Sequence, residues 1–302
     1  MTSTSSPFPL FCLPHVVLTE VFNSTTPDKI IRISLCSKKA ARVIKYTSSK
    51  WKKRKDLELI LQETQPSVVK YKEFSLLSVS HIFKADNQRY LESLKIGEST
   101  VPVGTSNMVT YWADKLKGVR SVMEYVMDIF NSEIEIFDIT QDATSSEIHY
   151  IFQWMAKRKT AFSLFILDCN NVTTVDLNFF FRNMQFNEVV CLNGRLPETY
   201  RYQQNSFWTF PRGFVNLYAG SWMRMSHLLT MNCLNITVMD VPFTNKEINS
   251  FLKKWHSGEA CPLLKYLHLG FPKLLNLEEV VEGLDGVKVP DGIVREFDII
   301  LS

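Results

Sequence analysis

The sequence predicts an α+β chain: three short helices at the N-terminus, then a longer, irregular α/β body. Three observations carry this. Apolar residues recur at helical spacing between Phe8 and Thr47. The pattern apolar-x-x-apolar-x-apolar returns seven times after residue 133. Between its copies, Thr or Asn repeatedly stands three residues ahead of Asp or Glu, which is the spacing of a helix cap. Composition agrees, with 45% hydrophobic and 22% charged residues in 302. That is enough apolar material for a sizeable core, so wholesale disorder is excluded. The length suggests two units. Glycine is scarce at 11 residues, which argues against a fold built on phosphate-cradling loops.

Residues 1–7 are expected to be a disordered polar leader ahead of the first helix. Pro14 suits a first helical position, where its missing N–H costs nothing. Val17/Val21 and Leu18/Phe22 then pair at i, i+4. Thr26-Pro27-Asp28 restarts the chain with a cap, a proline and an acid in the first turn. Ile30 and Ile33, with Ile31 beside them, form the inner side of the second helix. Ser37 caps a third, with Ala40, Val43, Ile44 and Thr47 inward and Lys38, Lys39, Arg42 and Lys45 outward. Three helices in so few residues bury their apolar surface poorly, so this piece is expected to need a partner.

Leu13-Pro14, Val17-Leu18, Ile30, Leu35-Cys36-Ser37-Lys38 and Val43 together resemble an F-box. More narrowly, the run is similar to the F-box of a large nematode family that opens with Phe-Pro-Leu. Phe11-Cys12 and Thr25-Thr26 depart from that family without touching its central positions. The resemblance implies an F-box over residues 8–50, docking on an Skp-type adaptor and through it on a cullin ubiquitin ligase. Carried onto this chain, the docking residues are Leu13, Pro14, Val17, Leu18, Val21, Ile30, Ile33 and Leu35.

Residues 1–55 hold eleven Lys/Arg against Glu20 and Asp28, a net +9, while the remainder carries −6. Nine of the 18 residues from Lys38 to Lys55 are basic. Such a run can neutralise phosphates, but only Tyr46 and Trp51 are placed for base stacking. Nucleic acid is therefore not favoured, and a solvated helix face followed by a linker is the reading adopted.

Residues 51–131 read as a connecting mixed region. Leu57–Leu61, Val68–Tyr71 and Leu94–Ile96 suggest strands, and Lys117–Phe130 a helix.

From 132 to 302 the repeating pattern takes over. Its copies are Ile134/Phe137/Ile139, Phe162/Phe165/Leu167, Phe186/Val189/Cys191, Phe214/Leu217/Ala219, Cys233/Ile236/Val238, Leu264/Leu267/Leu269 and Val294/Phe297/Ile299. This is the strand template of a leucine-rich repeat. Thr144/Glu147, Thr173/Asp176, Thr244/Glu247 and Asn276/Glu279 then predict capped helices. Strand, capped loop, helix, strand implies parallel neighbours. Unequal spacings and a break around Leu196–Pro211 make the stack degenerate, hence leucine-rich-repeat-like. Leu234-Asn235-Ile236-Thr237, Ile248 to Trp255, Gly258, Leu264 and Leu267 are similar to the type 2 F-box-associated domain that accompanies this F-box. That resemblance spans about residues 200–270 and implies a region that selects a substrate.

No run approaches the roughly 18 apolar residues of a membrane span, and Pro7, Pro9 and Pro14 interrupt the one signal-peptide-like stretch. The chain is expected in the cytoplasm or nucleus, with no membrane partner. Its six cysteines lack any CxxC pair and read as small buried hydrophobes. The sequons at Asn23, Asn171 and Asn235 are then chance matches. No nucleophile elbow, Walker loop or HExxH is present, and the six histidines show no ligand spacing, so neither catalytic residues, cofactor nor metal is expected. Asp138, Asp168 and Asp240 recur near strand ends, where they either line a cleft or satisfy loop amides. Cys169 or Cys191 would need a basic partner to act as nucleophile.

The expected function is that of a substrate-recognition subunit of a cullin (SCF-type) ubiquitin ligase, holding an unidentified protein substrate on its C-terminal domain. Two alternatives remain open: a non-catalytic repeat scaffold or pathogen-response binder working without a cullin, and a small enzyme using the strand-end aspartates.

Overall fold

The helices predicted between Phe8 and Thr47 are all present in the computed structural model, which describes residues 9–47, 57–82, 91–104, 108–159, 161–168, 170–194, 196, 200 and 212–284. Helix α1 spans His15–Ser24, α2 Pro27–Leu35 and α3 Lys38–Thr47. A 3-10 turn, Leu10–Cys12, precedes them. Pro14 sits one place before the first helical residue, its carbonyl accepting the Leu18 amide at 3.0 Å. Pro27 opens α2 as expected. The Ser37 hydroxyl caps α3 by accepting the Ala40 amide at 3.0 Å. Phe22, Ile30, Ile31, Ala40 and Ile44 close the space between the helices. Mixed sheet and helices follow, so the architecture is α+β.

By contacts the chain divides into two compact units, residues 1–151 and 152–302. In the first, strands β1 (Leu57–Leu61), β2 (Ser67–Tyr71), β3 (Phe74–His81), β4 (Leu91–Ile96), β5 (Ser99–Gly104), β6 (Val109–Trp112) and β7 (Ile136–Ile139) run in the order β7-β1-β2-β3-β6-β5-β4. β1 pairs antiparallel with β2 but parallel with β7. The first copy of the repeating pattern is thus built onto the connecting region's own sheet. Helix α4 (Lys115–Phe130) covers this sheet, with Val119, Val122, Met123 and Val126 fully buried. Asp114 caps it by accepting the Lys117 amide, and Asn131 ends it in the left-handed conformation that asparagine tolerates.

Helix α5 (Ser145–Arg158) carries the chain into the second unit. There β8 (Ala161–Asp168), β9 (Gln185–Asn193), β10 (Phe214–Leu217), β11 (Asn235–Val238) and β12 (Tyr266–Leu269) lie side by side in chain order. Every neighbouring pair is parallel. Helices α6 (Thr174–Asn183), α7 (Met225–Thr230) and α8 (Asn245–His256) occupy connections between these strands, and α9 (Leu277–Val281) follows β12. Phenylalanines fill the space beneath, with Phe180 of α6 5.1 Å from both Phe165 and Phe186 between ring centres.

The caps predicted for the later helices hold, whereas the Thr26 hydroxyl ahead of α2 makes no cap hydrogen bond. Thr173/Asp176 and Thr244/Glu247 form reciprocal capping boxes. So do Thr144 and Glu147, at 2.9 and 3.3 Å. Asn276 accepts the amides of Glu278 and Glu279.

Two strands depart from the expected phase. A bulge in the β8–β9 ladder shifts the pairing from Phe162↔Phe186 to Leu164↔Val189. As a result Val190 and Leu192 face the core and Cys191 faces out, where Val189 and Cys191 were expected inward. In β10 the buried pair is Val215 and Leu217, opposite Ile236 and Val238, while Phe214 is only half-buried. The cysteines also differ from expectation: Cys233 and Cys261 are buried, but Cys12 and Cys36 are exposed. The leader, Lys50–Lys55, Cys169, Pro211 and the Val294/Phe297/Ile299 copy lie outside the described residues.

Candidate functional site

The N-terminal helices present an apolar face that their own packing does not use. An α-helix can bury only one stripe, so the run His15-Val16-Val17-Leu18 must leave some apolar groups out. Leu18 turns inward, 5% exposed, while Val16 is 73% and Val17 42% exposed. Pro14 is exposed as well, and Leu13 and Val21 are half-buried. On α2, Ile30 is completely enclosed, whereas Ile33 and Leu35 are half-buried. Six of the eight residues named from the sequence therefore reach the surface. Leu18 and Ile30 instead hold the helices together from inside. Val16 was missed in the sequence, although three successive apolar residues on a helix already require an outward one.

The three helices do not stand alone. α2 packs on β3 and α4, and α3 packs on α4. The Ser34 hydroxyl lies 2.8 Å from that of Tyr125 on α4. Lys45 pairs with Asp128 on the same helix, although both side chains are largely exposed and the pair contributes little. The partner that the sequence required for this small helical piece is thus supplied by the region following it. Lys38, Lys39 and Arg42 point to solvent on α3, and Tyr46 beside them is 70% exposed.

Asp168 and Asp240 do not form a catalytic pair. Asp168 accepts the Asn170 amide at 3.1 Å, the loop-satisfying role. Asp240 is exposed in a left-handed turn after β11. β8 and β11 are three strands apart, about 14 Å at the usual spacing. Asp138 belongs to the first unit, within β7 opposite Ile60. Burial and then Glu58 push its carboxyl up, with Lys70 opposing.

Burial raises the Cys191 thiol to about 11, which is the reverse of an activated nucleophile. The His227 ring serves as a helix cap, its Nδ1 accepting the Arg224 amide at 3.0 Å. Burial, with Arg224 adding to it, lowers that imidazole. Among the described residues no group of three His, Cys, Asp or Glu is placed to hold a metal ion, and no helix is long and apolar enough to cross a membrane.

The helical face coincides with a recognisable module. Residues 10–52 match the F-box domain, and residues 209–269 match the model described as F-box associated. The chain carries an F-box followed by an F-box-associated region. The F-box match covers α1 to α3, and the second match covers β10 to β12 with α7 and α8. The chain is also similar to the Skn-1 dependent zygotic transcript 15 protein of Caenorhabditis elegans. The two are 20% identical over an alignment of 327 positions that covers 96% of this chain and 91% of that protein. No solved structure matches the chain. The pairing of the two domains supports a substrate-recognition role in ubiquitin ligation.

Proposed function

We propose that this F-box protein is a substrate-recognition subunit of an SCF-type ubiquitin ligase in the cytoplasm or nucleus. Its F-box docks an Skp-type adaptor, and through it a cullin, while the strand–helix body holds a protein substrate. The observation that carries this reading is the exposed apolar face of α1, Pro14, Val16 and Val17, within a matched F-box. An exposed apolar cluster on a small helical piece that is already completed by α4 is free for a partner. The half-buried Leu13, Val21, Ile33 and Leu35 extend that face, and Leu18 and Ile30 fix its shape from beneath. The parallel stacking of β8 to β12 in chain order supports a leucine-rich-repeat-like body. The mechanism is proximity: the receptor raises the local concentration of substrate lysines near a charged conjugating enzyme, and partners perform the covalent chemistry.

The test is capture of an Skp-type adaptor by the full chain. A Leu13→Asp, Pro14→Ala double variant and a Val17→Glu variant should each lose capture by tenfold or more, with the melting temperature held close to that of the parent. Equal capture by parent and variants would overturn the docking assignment, as would no capture by either. In those cases the body would act as a scaffold without a cullin.

A further inference from the structure

Strand alternation in the second unit turns ten side chains away from the helices, onto the opposite face of the sheet. The ladder registers align them in two rows. One row is Leu164, Val189, Phe214, Asn235 and Tyr266, and the other is Ile166, Cys191, Asn216, Thr237 and His268. Apart from Val189 these residues are half-buried or exposed. None of the ten is Asp, Glu, Lys or Arg. Charge returns at the margins, at Asp168 in the next row and Lys265 just before β12, and on the helices, as at Arg182, Lys253, Lys254 and Glu279. Depletion of charge with aromatic enrichment marks the core of a binding surface rather than ordinary solvated sheet.

Chemistry divides the face. Toward β8 and β9 it is apolar, with Leu164, Ile166, Val189 and Cys191. Toward β11 and β12 it is amide, hydroxyl and imidazole, with the Tyr266 hydroxyl 3.4 Å from His268 Nδ1. Asn216 sits at the junction. Its Oδ1 is shut off from solvent and has no hydrogen-bond partner.

Size selects the occupant. Four strand-to-strand steps span about 19 Å and two rows cover about 14 Å, an area on the order of 270 Å². A stable interface between globular partners takes roughly 800 Å² from each side. The face is too small for that, but it matches about six residues of extended chain.

We infer that this uncharged face of β8 to β12 is the substrate-recognition surface, and that it takes a short, extended, uncharged segment of the substrate. The segment lays an apolar side chain over Ile166 and Leu164. This rests on the receptor reading above, with the adaptor assay separating the two.

The experiment selects a phage library of random twelve-residue peptides on the full-length protein. The expected result is enrichment of peptides without charge in a six-residue core. Their binding should fall at least tenfold with Ile166→Glu and with Thr237→Glu, and should persist with Lys254→Glu on α8. Adaptor capture should be unchanged in all three. Should Ile166→Glu lower the melting temperature, His268→Glu on the exposed end takes its place. No enriched peptide, a charged core, or binding that survives both strand variants would overturn the assignment. Loss of adaptor capture with intact peptide binding would instead count against the ligase reading alone.

Discussion

The hydroxyl of Ser34 on α2 lies 2.8 Å from the hydroxyl of Tyr125 on α4, joining the F-box to a helix 91 residues further along the chain. Ser34 is buried, and its own proton is given to the Ile31 carbonyl at 2.7 Å. Tyr125 is therefore the donor in this pair, and only the neutral phenol can fill that role.

Burial pushes the Tyr125 phenol up to about 12, from 10. A raised folded-state value means that the contribution to stability is complete below pH 10 and is lost as pH rises from 10 toward 12. Tyr125→Phe should cost about 1 kcal/mol at pH 7 through the lost hydrogen bond. It should also flatten the alkaline fall in stability relative to the parent. Denaturant unfolding at pH 7, 10 and 11 reads both effects.

Gly118 in α4 should resist a substitution that ordinarily helps a helix. Replacing helical glycine by alanine usually gains about 1 kcal/mol. Here an added Cβ would stand 2.5 Å from Trp112 Cγ, and the indole is held by its own bond to Thr110 Oγ1 at 3.0 Å. Gly118→Ala is expected to lower stability by about 1–3 kcal/mol as the crowded ring is forced aside. A thermal melt that rises instead would show that Trp112 moves freely.

Lys115 holds together the start of α4, the loop after β1 and the start of α5. Its ammonium lies 3.2 Å from Glu147 and 2.9 Å from Glu63, and it also donates to the Gln62 carbonyl. Glu147 is at least as buried as Lys115, and its second oxygen completes the cap on Thr144. Lys115→Met leaves that carboxylate enclosed without its cation, at a cost of about 3–5 kcal/mol. Adding Glu147→Gln, which preserves the cap, should recover more than half of the loss in chemical unfolding.

What could be read from the sequence follows from how local each signal is. The caps at Thr144, Thr173, Thr244 and Asn276 each need only four residues, and all four are found in place. β1 was read with its observed limits because Leu57–Leu61 is densely apolar. β3 was not, because Ser75, Ser78 and Ser80 give Phe74–His81 no clean alternation, although five of its residues pair with β2 and four with β6. β5 hides behind Pro102 and Gly104, which ordinarily argue against a strand. The inward set of β9 was misassigned because a bulge adds one residue, and nothing in Phe186–Cys191 announces it. Among the residues that the resemblance proposes for docking, helical spacing marks the positions as apolar. It could not say that Leu18 and Ile30 would be consumed by the helices' own packing, since that depends on how α1 and α2 lie against α3.

The parallel pairing of β1 with β7 sets a timetable for the chain as it leaves the ribosome. Glu58 aligns with Ile136, 78 residues later. At synthesis rates of about 5–20 residues per second, β1 waits some 4–16 s for this neighbour. Tyr125, the partner of Ser34, arrives nearly as late. The helices that bear Val16 and Val17 emerge first but acquire their supporting helix only when almost half of the chain has been made. In the proposed receptor role, an adaptor arriving earlier would meet an unsupported, apolar fragment, so the proposed docking face matures midway through translation rather than at its start.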